Sequence, residues 1–212
     1  MAIKKLLFIF ALIQIGKVSN ASVRQIGRWI ESPRLTNWGD WKAEQMCPPN
    51  SWVSAMNLKI EPNQGEGDDS ALNGIRLTCT SMDGRDTADI TSGEGPWGFY
   101  RGKKFCSSGF ATGFQLRSEP DLGSGDDGAA SDLMLVCANV DGTTSKVVGG
   151  GVLTFGHYTA QQMCPRDTAM CGIRTQIERE QGKGDDSALN NVDFACCPYA
   201  LDLSVYVRRP AM

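Results

Sequence analysis

A nineteen-residue stretch recurs three times along this chain, and no other feature limits the fold as sharply. Glu61 to Cys79 reads EPNQGEGDDSALNGIRLTC, Glu119 to Cys137 reads EPDLGSGDDGAASDLMLVC, and Glu178 to Cys196 reads EREQGKGDDSALNNVDFAC. In each copy the Glu precedes the first Asp by seven residues, and that Asp precedes a Cys by eleven. A leader recurs as well: Trp38-Gly39-Asp40-Trp41 before Cys47, Trp97-Gly98-Phe99-Tyr100 before Cys106, and Phe155-Gly156-His157-Tyr158 before Cys164. The leaders begin 59 and 58 residues apart, so three units of nearly equal length fill the 212-residue chain. A repeat of this length with no helical hallmark is one supersecondary unit, copied twice and closed on itself.

Inside each unit the apolar residues alternate with polar ones. Met56, Leu58 and Ile60 flank Asn57 and Lys59, and Ile75, Leu77 and Cys79 flank Arg76 and Thr78. The same two strands recur as Phe114-Gln115-Leu116 with Leu133-Met134-Leu135, and as Ile173 to Ile177 with Val192-Asp193-Phe194. A period of two marks half-buried strands, and 24 glycines with turn-rich connectors complete an all-β pattern. Three four-stranded units each bury one face, so the expected packing is three sheets around a common axis, as the walls of a prism. The leader aromatics then belong to the core or the rim.

Residues 22–199 read as one domain, with repeats at about 29–82, 88–140 and 146–199. Ahead of it, Lys4 and Lys5, an apolar run from Leu6 to Ile15, and the small residues Ser19 and Ala21 form a secretory signal over residues 1–21. The run is too short for a membrane span, which needs about 20 residues. The expected mature protein is extracellular, with no membrane span. The sequon Asn20-Ala21-Ser22 straddles the cut, so no N-glycan is expected. Residues 200–212 form an extension without a counterpart in the repeats. Cleavage removes Lys4, Lys5 and Lys17, leaving 18 basic residues against 24 acidic ones, a formal charge of −6. That balance argues against polyanions as partners, nucleic acid above all.

Eight cysteines in a secreted chain imply four disulfides. Each repeat holds one early and one late Cys, which pairs Cys47 with Cys79, Cys106 with Cys137 and Cys164 with Cys196, and leaves Cys171 for Cys197. These bonds are expected to tie the first and last parts of each wall. A zinc site is the rival use of adjacent Cys196 and Cys197, but one His, no CxxC pair and an oxidising compartment argue for no metal and no cofactor.

The segments WGDW, EQMCP and LKIEPNQGEGDDSALNGIRLTC together resemble the vitelline membrane outer layer protein I family, over residues 23–199. The resemblance implies a β-prism type I fold of three Greek-key sheets with internal pseudo-threefold symmetry. It also implies secretion, and a place in the outer layer of the egg's vitelline membrane or in other secretions. The prism is shared with certain plant lectins, and the family's founding member is associated with chito-oligosaccharide transfer. Fold analogy alone assigns neither activity. The chain departs from its own pattern in repeat two, where Gly128, Ala130 and Ser131 stand for Ser70, Leu72 and Asn73.

Glycoside chemistry uses two carboxylates, and the pairs Asp68-Asp69, Asp126-Asp127 and Asp185-Asp186 follow Glu61, Glu119 and Glu178. A feature written three times is better explained by a fold that needs it three times, as a turn whose Asp oxygens accept backbone N–H bonds. Those three Glu residues stay as the catalytic candidates. Calcium is a weak reading, because GDDS does not follow the EF-hand loop. His157 lacks a nucleophile motif, since no GxSxG is present. Binding residues are sought where the repeats differ: Asp40, Phe99 and His157 at one equivalent position, Trp41, Tyr100 and Tyr158 at the next. Gathered at one end of the prism, these six would make an aromatic ring suited to sugars. The expected function is a secreted, disulfide-bound structural or binding protein of an extracellular coat, with glycans or glycoproteins as partners. The alternative is a weak glycan-active enzyme acting on N-acetylglucosamine oligomers.

Overall fold

The computed structural model describes residues 26–62, 71–120, 130–138, 143–149, 155–180 and 188–198. The signal at 1–21, the extension at 200–212 and the three Asp-Asp pairs lie outside the described residues. The chain begins with β1 (Arg28–Glu31) and two short strands, β2 (Asp40–Trp41) and β3 (Gln45–Met46). A long hairpin follows, β4 (Ser51–Ile60) and β5 (Leu72–Ser81), and then β6 (Asp86–Ile90). The second round is β7 (Phe99–Tyr100), β8 (Lys104–Phe105), β9 (Phe110–Ser118), β10 (Ala130–Ala138) and β11 (Thr144–Val148). The third is β12 (His157–Tyr158), β13 (Gln162–Met163), β14 (Thr168–Ile177) and β15 (Leu189–Pro198).

The alternating segments lie within strands longer than the alternation suggests. In β4, Met56, Leu58 and Ile60 are fully buried while Asn57 and Lys59 keep partial exposure. A bulge between Val53 and Ala55 shifts the phase, so the period of two breaks while pairing with β5 continues. Bulges between Val136 and Cys137 and between Met170 and Gly172 do the same in the other sheets. Each long first strand is preceded by a left-handed residue, Asn50, Gly109 or Asp167, which swings the chain into it.

Three antiparallel sheets result, ordered β6-β5-β4-β7 with β8 also on β4, β11-β10-β9-β12 with β13 also on β9, and β1-β15-β14-β2 with β3 also on β14. In the first, β4, β5 and β6 are successive neighbours and β7 returns to lie beside β4, the Greek-key path. The fourth strand of each sheet is broken into two short pieces, so five segments fill four places. This is a β-prism of three Greek-key sheets. The third sheet can close only because β1, β2 and β3, from the start of the chain, flank β14 and β15, from its end.

The inner faces form one apolar core, in which Phe114 and Phe194 meet edge to face at 4.8 Å. The first long strands β4, β9 and β14 pack on one another around the axis. A second, smaller cluster gathers Trp52, Phe110 and Ala169, which are threefold equivalents, with Cys171, Cys197 and the partly buried Trp29 and Met46.

The disulfides Cys47–Cys79, Cys106–Cys137, Cys164–Cys196 and Cys171–Cys197 are formed. The first three do not tie the two parts of one wall, as the repeats suggest. The Cys47 amide donates to the Cys171 carbonyl, Cys106 to Ser54 and Cys164 to Thr112, each at 2.8 Å. Each early Cys is therefore held on one sheet while its partner lies in the next. The three bonds form a ring of staples from sheet to sheet. Cys171–Cys197 alone joins strands of one sheet, β14 and β15.

Candidate functional site

Each leader folds as the edge of the sheet built by another repeat. Asp40 and Trp41 pair with Ile177 and Gln176, Phe99 and Tyr100 with Ile60 and Lys59, and His157 and Tyr158 with Ser118 and Arg117. The six candidate binding residues thus occupy equivalent places, opposite the C-terminal ends of β14, β4 and β9. They line three edges, one pair per wall.

The Gly between the leader aromatics is a fold requirement. Gly39, Gly98 and Gly156 all have positive φ, between 69° and 81°. A Cβ on Gly98 would lie 2.4 Å from the Glu61 amide nitrogen, and one on Gly39 2.4 Å from that of Glu178. Leader backbone therefore crosses the strand end at contact distance. The leader is held there by a side chain of the second long strand: Asn73 Oδ1 accepts from the Trp97 amide at 3.2 Å and Asn190 Oδ1 from the Trp38 amide at 3.3 Å. Repeat two uses Ser131 in that place, and its hydroxyl donates to the Phe155 carbonyl at 2.9 Å. The departure in repeat two keeps the tie and reverses its direction.

At the second aromatic position the ring faces are already in use. The Arg76 guanidinium lies 4.0 Å from the Tyr100 ring centre and that of Arg117 5.8 Å from Tyr158, while Trp41 has Arg34 at 4.7 Å and Arg174 at 5.1 Å. The phenols are tied too: Tyr100 donates to Glu94, and Tyr158 donates to Asp132 at 2.8 Å. Burial, followed by those carboxylate partners, raises both phenols above the usual range, so both remain neutral donors.

The first position is more open. Asp40 is exposed and pairs with Arg179 at 3.3 Å, and His157 is exposed. Phe99 is 74% exposed. Further along the same edge Phe105 is 56% exposed, and Arg101 and Lys104 are exposed between them. The candidate residues on this edge end at Tyr100. The signal that would have reached further is the contrast of FYRGKKF in repeat two with DWKAEQM and HYTAQQM in its sisters.

The catalytic candidates sit immediately after the first long strand of each sheet, β4, β9 and β14. Glu61 is buried and Glu119 and Glu178 are half-buried. The amides of Glu61 and Glu178 donate to the carbonyls of Ala71 and Ala188, at 2.9 and 2.8 Å, and so extend the pairing of the two long strands by one bond. They stand on three different walls, one per wall. Among the described residues no three His, Cys, Asp or Glu side chains gather as a metal site would require, and no helix is long and apolar enough to cross a membrane.

Vitelline membrane outer layer protein 1 homologs of mouse (Mus musculus) and human (Homo sapiens) are each 37% identical to this chain, covering 76% of it and 78% of their own length. Among solved structures, Calystegia sepium agglutinin covers 82% of this chain and 97% of its own, at 15% identity and a TM-score of 0.48. A mannose-specific jacalin-related lectin from Morus nigra, in complex with mannose, covers 76% and 96% at 13% identity and a TM-score of 0.40. Superposition at that level carries no weight for function. The profile of the Vitelline membrane outer layer protein I family matches residues 28–199, and with those homologs it settles that the chain belongs to this family.

Proposed function

We propose that this protein is secreted after loss of residues 1–21. On this reading residues 22–199 serve as one disulfide-bound structural and binding unit of an extracellular coat, which holds glycans or glycoproteins at its leader edges. The observation that carries the reading is Phe99, 74% exposed on the edge of a sheet that inter-sheet disulfides hold in place. Of the six candidate positions, Trp41, Tyr100 and Tyr158 already stack with guanidinium groups, and Asp40 and His157 lie exposed on the other two walls, while Arg101 and Lys104 supply exposed polar atoms along the edge that carries Phe99. An apolar ring with polar neighbours suits a pyranose, which presents C–H faces and equatorial hydroxyls together. A preordered edge loses little conformational entropy on binding. No cofactor is needed for this role.

The test is binding of the oxidised mature protein to a glycan array that includes chitin fragments, with the mass of every bound fragment measured afterwards. Bound glycans of unchanged mass, with affinity reduced at least tenfold in Phe99→Ser, are the expected result. Absence of binding to any glycan or glycoprotein would overturn the reading. Products longer or shorter than the applied fragments would replace recognition by glycosyl transfer, and Glu61→Gln, Glu119→Gln and Glu178→Gln would then identify the acting wall.

A further inference from the structure

The three leaders have the same backbone, so the places where their side chains differ mark what one wall does and the others do not. Along the edge from β7 into β8, repeat two carries Arg101, Lys103 and Lys104 with no acid. The corresponding stretch of repeat one has Asp40 and Glu44 against Lys42, and that of repeat three, from His157 to Met163, has no charged residue when His157 is neutral. The whole chain is acidic, at −3, yet these three cations stand together on one edge of one sheet. The acidic composition, read alone, argued against polyanions. The fold reverses that argument locally.

We infer that the edge formed by β7 and β8 is a binding site for a linear anionic polysaccharide, a sulfated or carboxylated glycan chain, with Phe99 as the stacking platform and Arg101 and Lys104 as the anion contacts. The inference deepens the glycan-binding role proposed above and rests on it. Three structural features support it. First, Phe99 stands opposite Ile60 and Lys104 opposite Met56, so alternation puts both on one side of the edge. Four residues along β4, at about 3.3 Å each, separate them by roughly 13 Å, a span for an extended chain and not for a single ion. Second, Arg101 and Lys104 are exposed, whereas Lys103 is turned across the sheet to Asp89 at 3.0 Å. Third, Gly102 has φ of +100° with nothing within 4 Å of a Cβ built on it, so the loop between the two strands has an open side where a ligand backbone can lie. Exposed cations alone would attract any anion through a field screened within about 8 Å at physiological salt. The uncovered Phe99 beside them adds a contact that favours a sugar ring over a simple acid.

The experiment titrates the disulfide-bonded mature protein with chondroitin sulfate of defined length, with uncharged dextran, and with polyglutamate as competitor, at low and physiological salt. Chondroitin sulfate should bind, more weakly as salt rises, and dextran should bind at least tenfold less well. Arg101→Gln with Lys104→Gln should lower affinity at least tenfold, and Phe99→Ser at least fivefold. Arg85→Gln, which removes an exposed cation from the β5–β6 turn of the same sheet, should change it less than twofold. Four intact disulfides by mass and an unchanged melting midpoint qualify each variant. Should the double variant fail to fold, Lys104→Gln alone carries the test. Wild-type affinity in a folded charge variant would overturn the site, and equal competition by polyglutamate would assign it to acidic protein instead. If neutral glycans bind on the array while chondroitin sulfate does not, this inference fails and the broader role survives. If neither binds, both fall.

Discussion

Gly39, Gly98 and Gly156 show how a missing atom fixes a position. An L-residue with positive φ costs about 1–2 kcal/mol, and a Cβ on Gly98 would also stand within 2.5 Å of the Ile60 carbonyl and the Glu61 amide. Backbone cannot yield as a flexible side chain does, so both costs apply together. Gly98→Ala is expected to lose about 2–4 kcal/mol in denaturant unfolding. Gly84 makes the internal control: its φ is +83°, but nothing lies within 4 Å of its Cβ, so Gly84→Ala should lose only about 1 kcal/mol. Equal losses from the two would mean that φ alone matters and that the close crossing does not. The sequence shows that an aromatic-Gly pair is required three times. It does not show that the requirement comes from the backbone of Glu61, Glu119 and Glu178, the residues whose recurrence first suggests carboxylate chemistry.

At the level of elements, the weak point of the prism is the third sheet, where β1 and β2 must join β14 and β15 without chain continuity. A polar and aromatic lock holds them. Asp193 on β15 is fully buried and accepts two bonds from Arg34, at 2.8 and 2.9 Å, and one from Arg174 at 2.9 Å. Arg174 lies over both Trp29 of β1 and Trp41 of β2, and Arg34 over Trp41 as well. One carboxylate thus orders two guanidinium groups, and they order two indoles. Removing one partner of a buried ion pair costs about 3–5 kcal/mol, but both arginine side chains are about 30% exposed and can recover some hydration. Asp193→Asn should therefore lose about 2–3 kcal/mol, and the loss should begin locally. Hydrogen exchange should show the amides of Arg28 to Glu31 losing protection before those of β4 and β5. Uniform loss across all three sheets would show that the lock serves the whole fold and not the joint. None of this lock was legible in the repeats, because symmetry hides it: the places equivalent to Asp193 hold Arg76 and Met134. The device exists where the symmetry of the sequence has to be closed by residues that only one repeat has.

The three walls, their two long strands and their all-β character were legible because each rests on a pattern written three times. Their boundaries were not, since each sheet combines the hairpin of one repeat with the leader of another. That offset determines what the disulfides do. Cys47–Cys79, Cys106–Cys137 and Cys164–Cys196 close loops of 32, 31 and 32 residues and bridge the three sheets in turn. Chain entropy gives each, formed alone, roughly 3.5 kcal/mol, so removing Cys47–Cys79 or Cys106–Cys137 as a Cys-to-Ala pair should lower stability by similar amounts. Cys171–Cys197 has a separation of 26, which taken alone predicts almost the same value. It interlocks with another bond, however: once Cys164–Cys196 is formed, Cys171 lies seven residues from one end of that bond and Cys197 beside the other. The additional loop is then only about nine residues around, worth roughly 2.5 kcal/mol in the same treatment. The expected outcome is that Cys171→Ala with Cys197→Ala costs about 1 kcal/mol less than Cys47→Ala with Cys79→Ala, measured by denaturant unfolding of proteins whose remaining three bonds are verified by mass. A Cys171–Cys197 bond that proves as costly as Cys47–Cys79 would shift the explanation from the unfolded chain to the packing of Cys171 and Cys197 against Trp52 and Phe110 in the second cluster.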